Sequence, residues 1–113
     1  MKPGKKNYKT KQGSTFRTSF TIKYKATDLP WNLTGYVARM QLRTNATSNS
    51  VVLGLTSNDY ITLGGADGTV NIEILNLQIP AGKYVYDFEL ESPSGEIYAV
   101  IEGRFIVSPN VTR

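Results

Sequence analysis

Two carboxylates on one predicted strand, Glu89 and Glu91, are the residues best placed for acid–base chemistry. Side chains two residues apart on a strand share a face and lie about 7 Å apart, which is within the carboxylate separation of an inverting glycosidase. A catalytic acid also needs a partly desolvated pocket that raises its pKa, and a solvated strand face does not provide one. We therefore predict that both carboxylates pair with Arg39 and Arg43 on a neighbouring strand, and that the chain is not an enzyme.

Composition narrows the other kinds of chemistry. The 113 residues include no His and no Cys, which excludes His-based catalytic triads, disulfides and almost every zinc or copper site. The segment Gly64-Gly65-Ala66-Asp67-Gly68 is similar to a calcium-binding glycine and aspartate repeat. Such repeats need stacked copies, and this chain has one, so the segment is predicted to be a hairpin turn. No cofactor and no metal ion is expected.

Positive charge is concentrated at the start of the chain, although the net charge is only +4. The first 25 residues contain no acid and eight basic residues, which are Lys2, Lys5, Lys6, Lys9, Lys11, Arg17, Lys23 and Lys25. We interpret residues 1–11 as a basic flexible arm in front of a domain that spans 12–113. Three roles for the arm remain open: a solvated tail, a contact with another protein, or, least favoured, a nucleic-acid contact through the lysines and Tyr8.

Short strands account for the rest of the sequence. Tyr84, Tyr86, Phe88 and Leu90 alternate with more polar residues, the period of two of a strand with one buried face, and Ser92-Pro93-Ser94-Gly95 has turn chemistry. About seven such strands follow one another at spacings near 8–12 residues, and no segment has helical periodicity. The pattern predicts an all-β fold, an immunoglobulin-like antiparallel β-sandwich of about seven strands.

The same periodicity predicts which residues are buried and which are not. The predicted core consists of Phe16, Phe20, Ile22, Tyr36, Met40, Leu42, Val70, Ile72, Ile74, Tyr86, Phe88, Leu90, Ile101 and Phe105. Trp31, Tyr60 and Tyr98 fall in loops or at outward positions. Large rings in such places often mark contact surfaces, so we predict that these three residues lie at the surface.

Five motifs occur in order between Lys11 and Arg113. They are KQGSTF at 11–16, NLTGYVARMQLR at 32–43, ITLGG at 61–65, PAGKYVYDFELESPSGE at 80–96 and EGRFIVSPNVTR at 102–113. Together they resemble the small immunoglobulin-like tail proteins of bacteriophages, which sit in baseplates or tail-tip collars and are similar to the N-terminal domain of baseplate upper proteins. Asn32 stands where an Asp is common, and residues 1–10 are not part of the pattern.

The resemblance implies a structural subunit. Such a protein would form an oligomeric ring around the tail axis and provide attachment for neighbouring tail proteins or receptor-binding fibres. It would be assembled in the host cytoplasm and reside in the virion. The sequence has no apolar run of about 18 residues, so no membrane insertion is expected. The alternative is a stand-alone ligand-binding β-sandwich, such as a carbohydrate-binding module that uses Trp31 and exposed tyrosines as a stacking platform.

Charge indicates how copies of the chain could meet. Outward residues of the last two strands form an acidic face, while the front of the chain is basic. We predict that the arm packs on the acidic face of a neighbouring subunit, which would close a ring in which every subunit gives one surface and receives another. The predicted protein-interaction residues are Lys2, Lys5, Lys6, Lys9, Lys11, Trp31, Asp87, Glu89, Glu91 and Glu102.

Overall fold

A computed structural model describes residues 4–24, 26–45, 47, 50–57 and 59–109. These residues form nine strands, which are β1 (Gly4–Lys5), β2 (Tyr8–Lys11), β3 (Phe16–Thr21), β4 (Val37–Arg43), β5 (Leu53–Thr56), β6 (Ile61–Leu63), β7 (Thr69–Ile74), β8 (Gly82–Glu91) and β9 (Ile97–Ser108). One 3-10 turn, Gly65–Asp67, joins β6 to β7. Within the described residues, no helix is long and apolar enough to cross a membrane.

The strands form two sheets. The large sheet has the order β9-β8-β4-β5, with β1 and β2 pairing one after the other along the outer edge of β9, and the small sheet has the order β3-β7-β6. Pairing is antiparallel except that β1 and β2 run parallel to β9. In the large sheet, β9, β8 and β4 match the three-stranded sheet of an immunoglobulin sandwich, with β5 added at one edge and β1 and β2 added at the other. The predicted immunoglobulin-like sandwich is confirmed, with nine strands in place of about seven.

The core lies between the two sheets. Of the predicted core residues, Phe20, Tyr36 and Ile101 are partly buried and the other eleven are buried. Phe88 packs edge-on against Phe20, with 5.4 Å between ring centres, and Phe105 packs against Phe16 at 4.9 Å. These contacts join the large sheet to the small one. Sequence periodicity did not identify several buried residues of loops and short strands, which include Leu33, Leu55, Ile61, Leu77 and Ile79.

The start of the chain belongs to the large sheet. Lys5 pairs with Glu102 in the ladder between β1 and β9, and β2 pairs in register with β9 from Tyr8 opposite Phe105 to Lys11 opposite Ser108. The prediction of a flexible arm outside the domain is therefore wrong for residues 4–11. Lys2 lies outside the described residues.

A glycine allows the chain to cross close to β9 between β1 and β2. A Cβ atom at Gly103 would overlap the carbonyl oxygen of Lys6. That oxygen points inward and accepts a hydrogen bond from Tyr86 Oη at 2.6 Å. Next to it, Asn7 Oδ1 accepts a hydrogen bond from the backbone N–H of Arg104 at 3.0 Å. This donor on β9 is therefore satisfied although neither β1 nor β2 includes Asn7.

Tyr8 closes one end of the core. Its ring lies 5.3 Å from Phe16, 5.5 Å from Tyr86 and 6.2 Å from Phe105, measured between ring centres. Aromatic contacts of this kind stabilise a fold beyond the area they bury. Tyr8 is therefore a packing residue, and its ring is not presented for stacking on a base.

A tyrosine also fixes the entry into β8. Tyr84 Oη donates to the carbonyl oxygen of Pro80 at 2.5 Å, four residues upstream. This geometry is the tyrosine corner of immunoglobulin sandwiches, in which a tyrosine near the start of the corresponding strand bonds back to the preceding connection. The ring of Tyr84 is buried, so its side chain connects the core to the loop that precedes β8.

We expect Tyr84→Phe to lower the free energy of unfolding by about 0.5–1.5 kcal/mol, the typical net value of one hydrogen bond. The ring remains in the core, so only the bond to Pro80 is lost. Urea denaturation measures the change, and the dependence on urea concentration should keep its slope. Wild-type stability in this variant would show that water replaces the bond without cost.

Candidate interaction surface

Alternate residues of the large sheet point away from the core and form an extended surface. We call it the outer face of the large sheet, and it consists of Val37, Arg39, Gln41, Arg43, Lys83, Val85, Asp87, Glu89, Glu91, Ile97, Ala99, Glu102, Arg104 and Ile106. Their neighbours along each strand, such as Leu42, Phe88 and Phe105, are buried. The register of β4 with β8 is regular, and the ladder between β8 and β9 contains one β-bulge, next to the pair of Phe88 with Ile101. This pairing fixes the position of every charge on the face.

Arg39 forms ion pairs with both Glu89 and Glu91. Its Nε donates to Glu89 Oε1 at 2.6 Å and its Nη2 donates to Glu91 Oε1 at 3.0 Å. These hydrogen bonds raise the pKa of the Arg39 guanidinium. The predicted pairing with Arg39 is confirmed. Arg43 lies opposite Val85 instead, and its Nη2 donates to Gln41 Oε1 at 2.7 Å, so the predicted role of Arg43 as a partner of these glutamates is not what the structure shows.

The front of the chain neutralises part of its own acidic face. Lys5 Nζ lies 2.6 Å from Glu102 Oε2, in the ladder between β1 and β9. The predicted contact of the arm with a neighbour's acidic face is therefore wrong for Lys5, because the register of the parallel strands brings the lysine to the glutamate of its own chain. Lys6, Lys9 and Lys11 are exposed. An exposed ion pair contributes little to stability, so the hydrogen bonds and Tyr8 hold this segment in place.

Asp87 lies in the centre of the outer face. Desolvation raises the pKa of its carboxyl group above the usual value, and the nearby charge of Glu89 raises it further. Arg43 lowers this pKa, and Glu102 raises it. The ionised form is thus disfavoured in the folded protein relative to the unfolded chain. Asp87 consequently destabilises the fold when it is charged.

We expect Asp87→Asn to raise the thermal midpoint at pH 7. A carboxyl group whose folded pKa is raised costs stability as the pH rises through that pKa, and the cost is absent once the group is protonated in both states. The difference between variant and wild type should therefore disappear below about pH 4, the range in which unperturbed aspartates protonate. Thermal denaturation at pH 3.5 and pH 7 measures this, and a lower midpoint of the variant at pH 7 would contradict the assigned cause.

An open depression of about 530 Å³ lies on the outer face. Arg43, Val85 and Arg104 line one side, and Lys5, Asp87 and Glu102 are among the residues of the other. Glu89 and Glu91 do not line it, so the two carboxylates are not brought into this depression. Among the described residues, no group of three or more acids could hold a metal ion. The depression therefore presents guanidinium groups beside carboxylates.

Trp31 is not at the surface, contrary to prediction. It is 9% exposed, its ring stacks on Tyr24 at 5.2 Å, and Tyr98 meets it edge-on at 5.4 Å. The loop folds back because the Trp31 N–H donates to the carbonyl oxygen of Ile22, and Gly68 leaves room for this backbone. Tyr98 is partly buried against the core, whereas Tyr60 is exposed as predicted.

The glycine-rich segment forms the predicted hairpin turn. Gly64 N–H donates to the Thr69 carbonyl oxygen at 2.8 Å between β6 and β7. Gly68 has a φ of 71°, a conformation that glycine adopts without strain. Asp67 Oδ1 accepts from Thr69 Oγ1 at 2.9 Å, so this carboxylate stabilises the turn.

Comparison with solved structures identifies the fold. A crystal structure of a chicken TCR superposes on this chain with a TM-score of 0.63 and covers 97% of it at 9% sequence identity. The chain is an immunoglobulin-like β-sandwich. It spans 56% of the length of the TCR chain, and at 9% identity the likeness concerns the fold alone. No family model matches the sequence, and no curated protein matches it significantly.

Proposed function

We propose that this immunoglobulin-like sandwich is a non-enzymatic structural subunit of a bacteriophage tail, located in the baseplate or the tail-tip collar. The observation that carries the proposal is the ordered series of five motifs between Lys11 and Arg113, which resembles the small immunoglobulin-like tail proteins. The subunit would associate with copies of itself and provide attachment for neighbouring tail proteins or receptor-binding fibres.

The placement of these motifs supports a role in contacts between proteins. NLTGYVARMQLR includes all of β4, PAGKYVYDFELESPSGE includes the tyrosine corner and β8, and EGRFIVSPNVTR includes most of β9. These three strands carry the outer face of the large sheet. The segments that resemble the phage proteins therefore build a broad charged surface on a rigid two-layer scaffold.

The structure removes the support for one mode of assembly and for a sugar-binding platform centred on Trp31. Because residues 4–11 pair with β9 of their own sandwich, we do not propose that a ring closes by packing of this segment on the acidic face of a neighbouring subunit. A carbohydrate-binding platform built on Trp31 has no support either, because that ring is covered by Tyr24 and Tyr98.

Purified particles of the phage that encodes the chain provide the test. We expect peptides of this protein in intact virions by mass spectrometry, at several copies per particle, and gold-labelled antibody at the tail tip. Deletion of the coding sequence should give defective tail tips that the wild-type protein supplied in trans repairs. Absence of the chain from infectious particles would refute the proposal.

A further inference from the structure

Two rows of side chains on the outer face of the large sheet have opposite patterns. In the first row, Glu91 on β8 lies between Ile97 on β9 and Val37 on β4. In the second row, Val85 on β8 lies between Arg104 on β9 and Arg43 on β4. One row is thus an acid between two apolar residues, and the other is an apolar residue between two bases, on the same three strands in the same order.

Both rows are accessible to a partner. Ile97 is 57% exposed and Val37 is 44% exposed, so both aliphatic side chains can contact another molecule. Arg104 is exposed, and Arg43, Arg104 and Val85 line the open depression of about 530 Å³. A carboxylate from another molecule can therefore enter between the two guanidinium groups.

We propose that two copies of this chain pair face to face through the outer face of the large sheet, with their strands antiparallel. The twofold axis crosses the strands at the level of Phe88, midway between Val85 and Glu91 on β8. In this arrangement Glu91 of each copy exchanges its ion pair with Arg39 of its own chain for a position between Arg43 and Arg104 of the other copy. Val85 of each copy packs between Ile97 and Val37 of the other.

Charge selects this orientation over the alternative. A twofold axis along the strands would place Glu91 against Glu91 and the arginines against each other, which is repulsive. With the axis across the strands, the two matched rows lie about 20 Å apart on each copy, since six residues separate them on β4 and β8 at about 3.3 Å per residue. On β9 seven residues separate them, because a β-bulge adds one residue to that strand. The pairing therefore has two equivalent contacts, one at each end of the face.

The pairing should be weak. Rows about 20 Å apart on three strands about 4.8 Å apart define a footprint of a few hundred Å² per copy, below that of a standard stable interface. At the centre of the pair, Asp87 of one copy lies opposite Glu89 of the other copy, and the two carboxylates repel each other. The ion pair of Arg39 with Glu89 compensates only part of this repulsion. We expect a dissociation constant between about 10 µM and 1 mM, typical of small polar interfaces.

This inference goes beyond the proposed function and does not depend on a phage tail. A twofold pair is closed, so any ring would use other surfaces to join such pairs. The test uses purified protein, so its failure leaves the virion experiment unaffected, and absence from virions leaves the pairing unaffected.

Sedimentation equilibrium of two charge variants and their mixture tests the pairing. Ile97→Lys places a cation opposite Arg104 of the second copy, and Arg104→Glu places an anion near Glu91 of the second copy. We expect each variant alone to associate at least tenfold more weakly than wild type. An equimolar mixture should recover association to within about threefold of wild type, because one contact of the mixed pair is unchanged and the other joins the new lysine to the new glutamate.

Matched controls separate the outer face from the rest of the surface. Leu75→Lys changes another exposed aliphatic residue, 62% exposed, and Lys23→Glu reverses a charge outside the outer face. Both controls should associate like wild type, and circular dichroism should confirm that all variants are folded. A monomeric wild-type protein at 1 mM, single variants that associate normally, or a mixture as weak as its components would overturn the proposal.

Discussion

Removal of residues 1–11 should lower the free energy of unfolding by at least about 3 kcal/mol, the typical cost of deleting one packed aromatic side chain. The deletion takes Tyr8 out of its contacts with Phe16, Tyr86 and Phe105. It also removes the acceptor of the Tyr86 hydroxyl and leaves the edge of β9 unpaired. Chemical denaturation of the shortened and full chains measures the loss.

Two further variants show which part of the segment is responsible. Tyr8→Ala should account for most of the loss, because the ring is the part of the segment that reaches the core. The double variant Lys9→Ala with Lys11→Ala removes two exposed charges from β2 and should change stability by less than about 0.5 kcal/mol, as surface substitutions usually do. If the shortened chain were as stable as the full chain, the segment would not be part of the folded unit.

The hairpin of β8 and β9 and the central core could be predicted, because the alternation of apolar and polar residues that indicates them lies within short stretches of sequence. Tyr86, Phe88 and Leu90 alternate with polar residues in one continuous run, so their burial follows from the period of a strand. The position of β2 has no such signal. Its partner is about 97 residues away in sequence, as in the pair of Tyr8 with Phe105, and its lysines give it the composition of a solvated tail. Gly103 and Asn7 are the residues that allow the close approach, and neither is distinctive without the structure.

The candidate interaction surface was only partly predictable for the same reason. The pairing of Arg39 with Glu89 and Glu91 follows from the expectation that their strands are neighbours. The two complementary rows require the register of three strands at once, because a shift by one residue would turn every one of these side chains inward. The burial of Trp31 could not be predicted, because it depends on a loop that folds back onto Ile22. No periodicity in the sequence indicates this loop conformation.

Phe88→Ala should destabilise the sandwich by about 3–5 kcal/mol, as expected for a large ring removed from a tightly packed core. Phe88 is 1% exposed, and its ring meets Phe20 of the opposite sheet. The loss therefore includes both the transfer of the ring from water and the contact that joins the two sheets. Urea denaturation measures it, with Leu75→Ala as the exposed control that should change stability by less than about 0.5 kcal/mol.

Two outcomes would contradict this expectation in different ways. A loss below about 1 kcal/mol would mean that position 88 is not in the core and that β8 is shifted by one residue, which would also place Glu89 and Glu91 inside. A large loss in Leu75→Ala would mean that the exposed bend after β7 is covered in the folded protein. The expected pattern, a severe effect at 88 and almost none at 75, follows from the alternation that also turns Glu91 and Val85 outward, where the proposed pairing of two copies requires them.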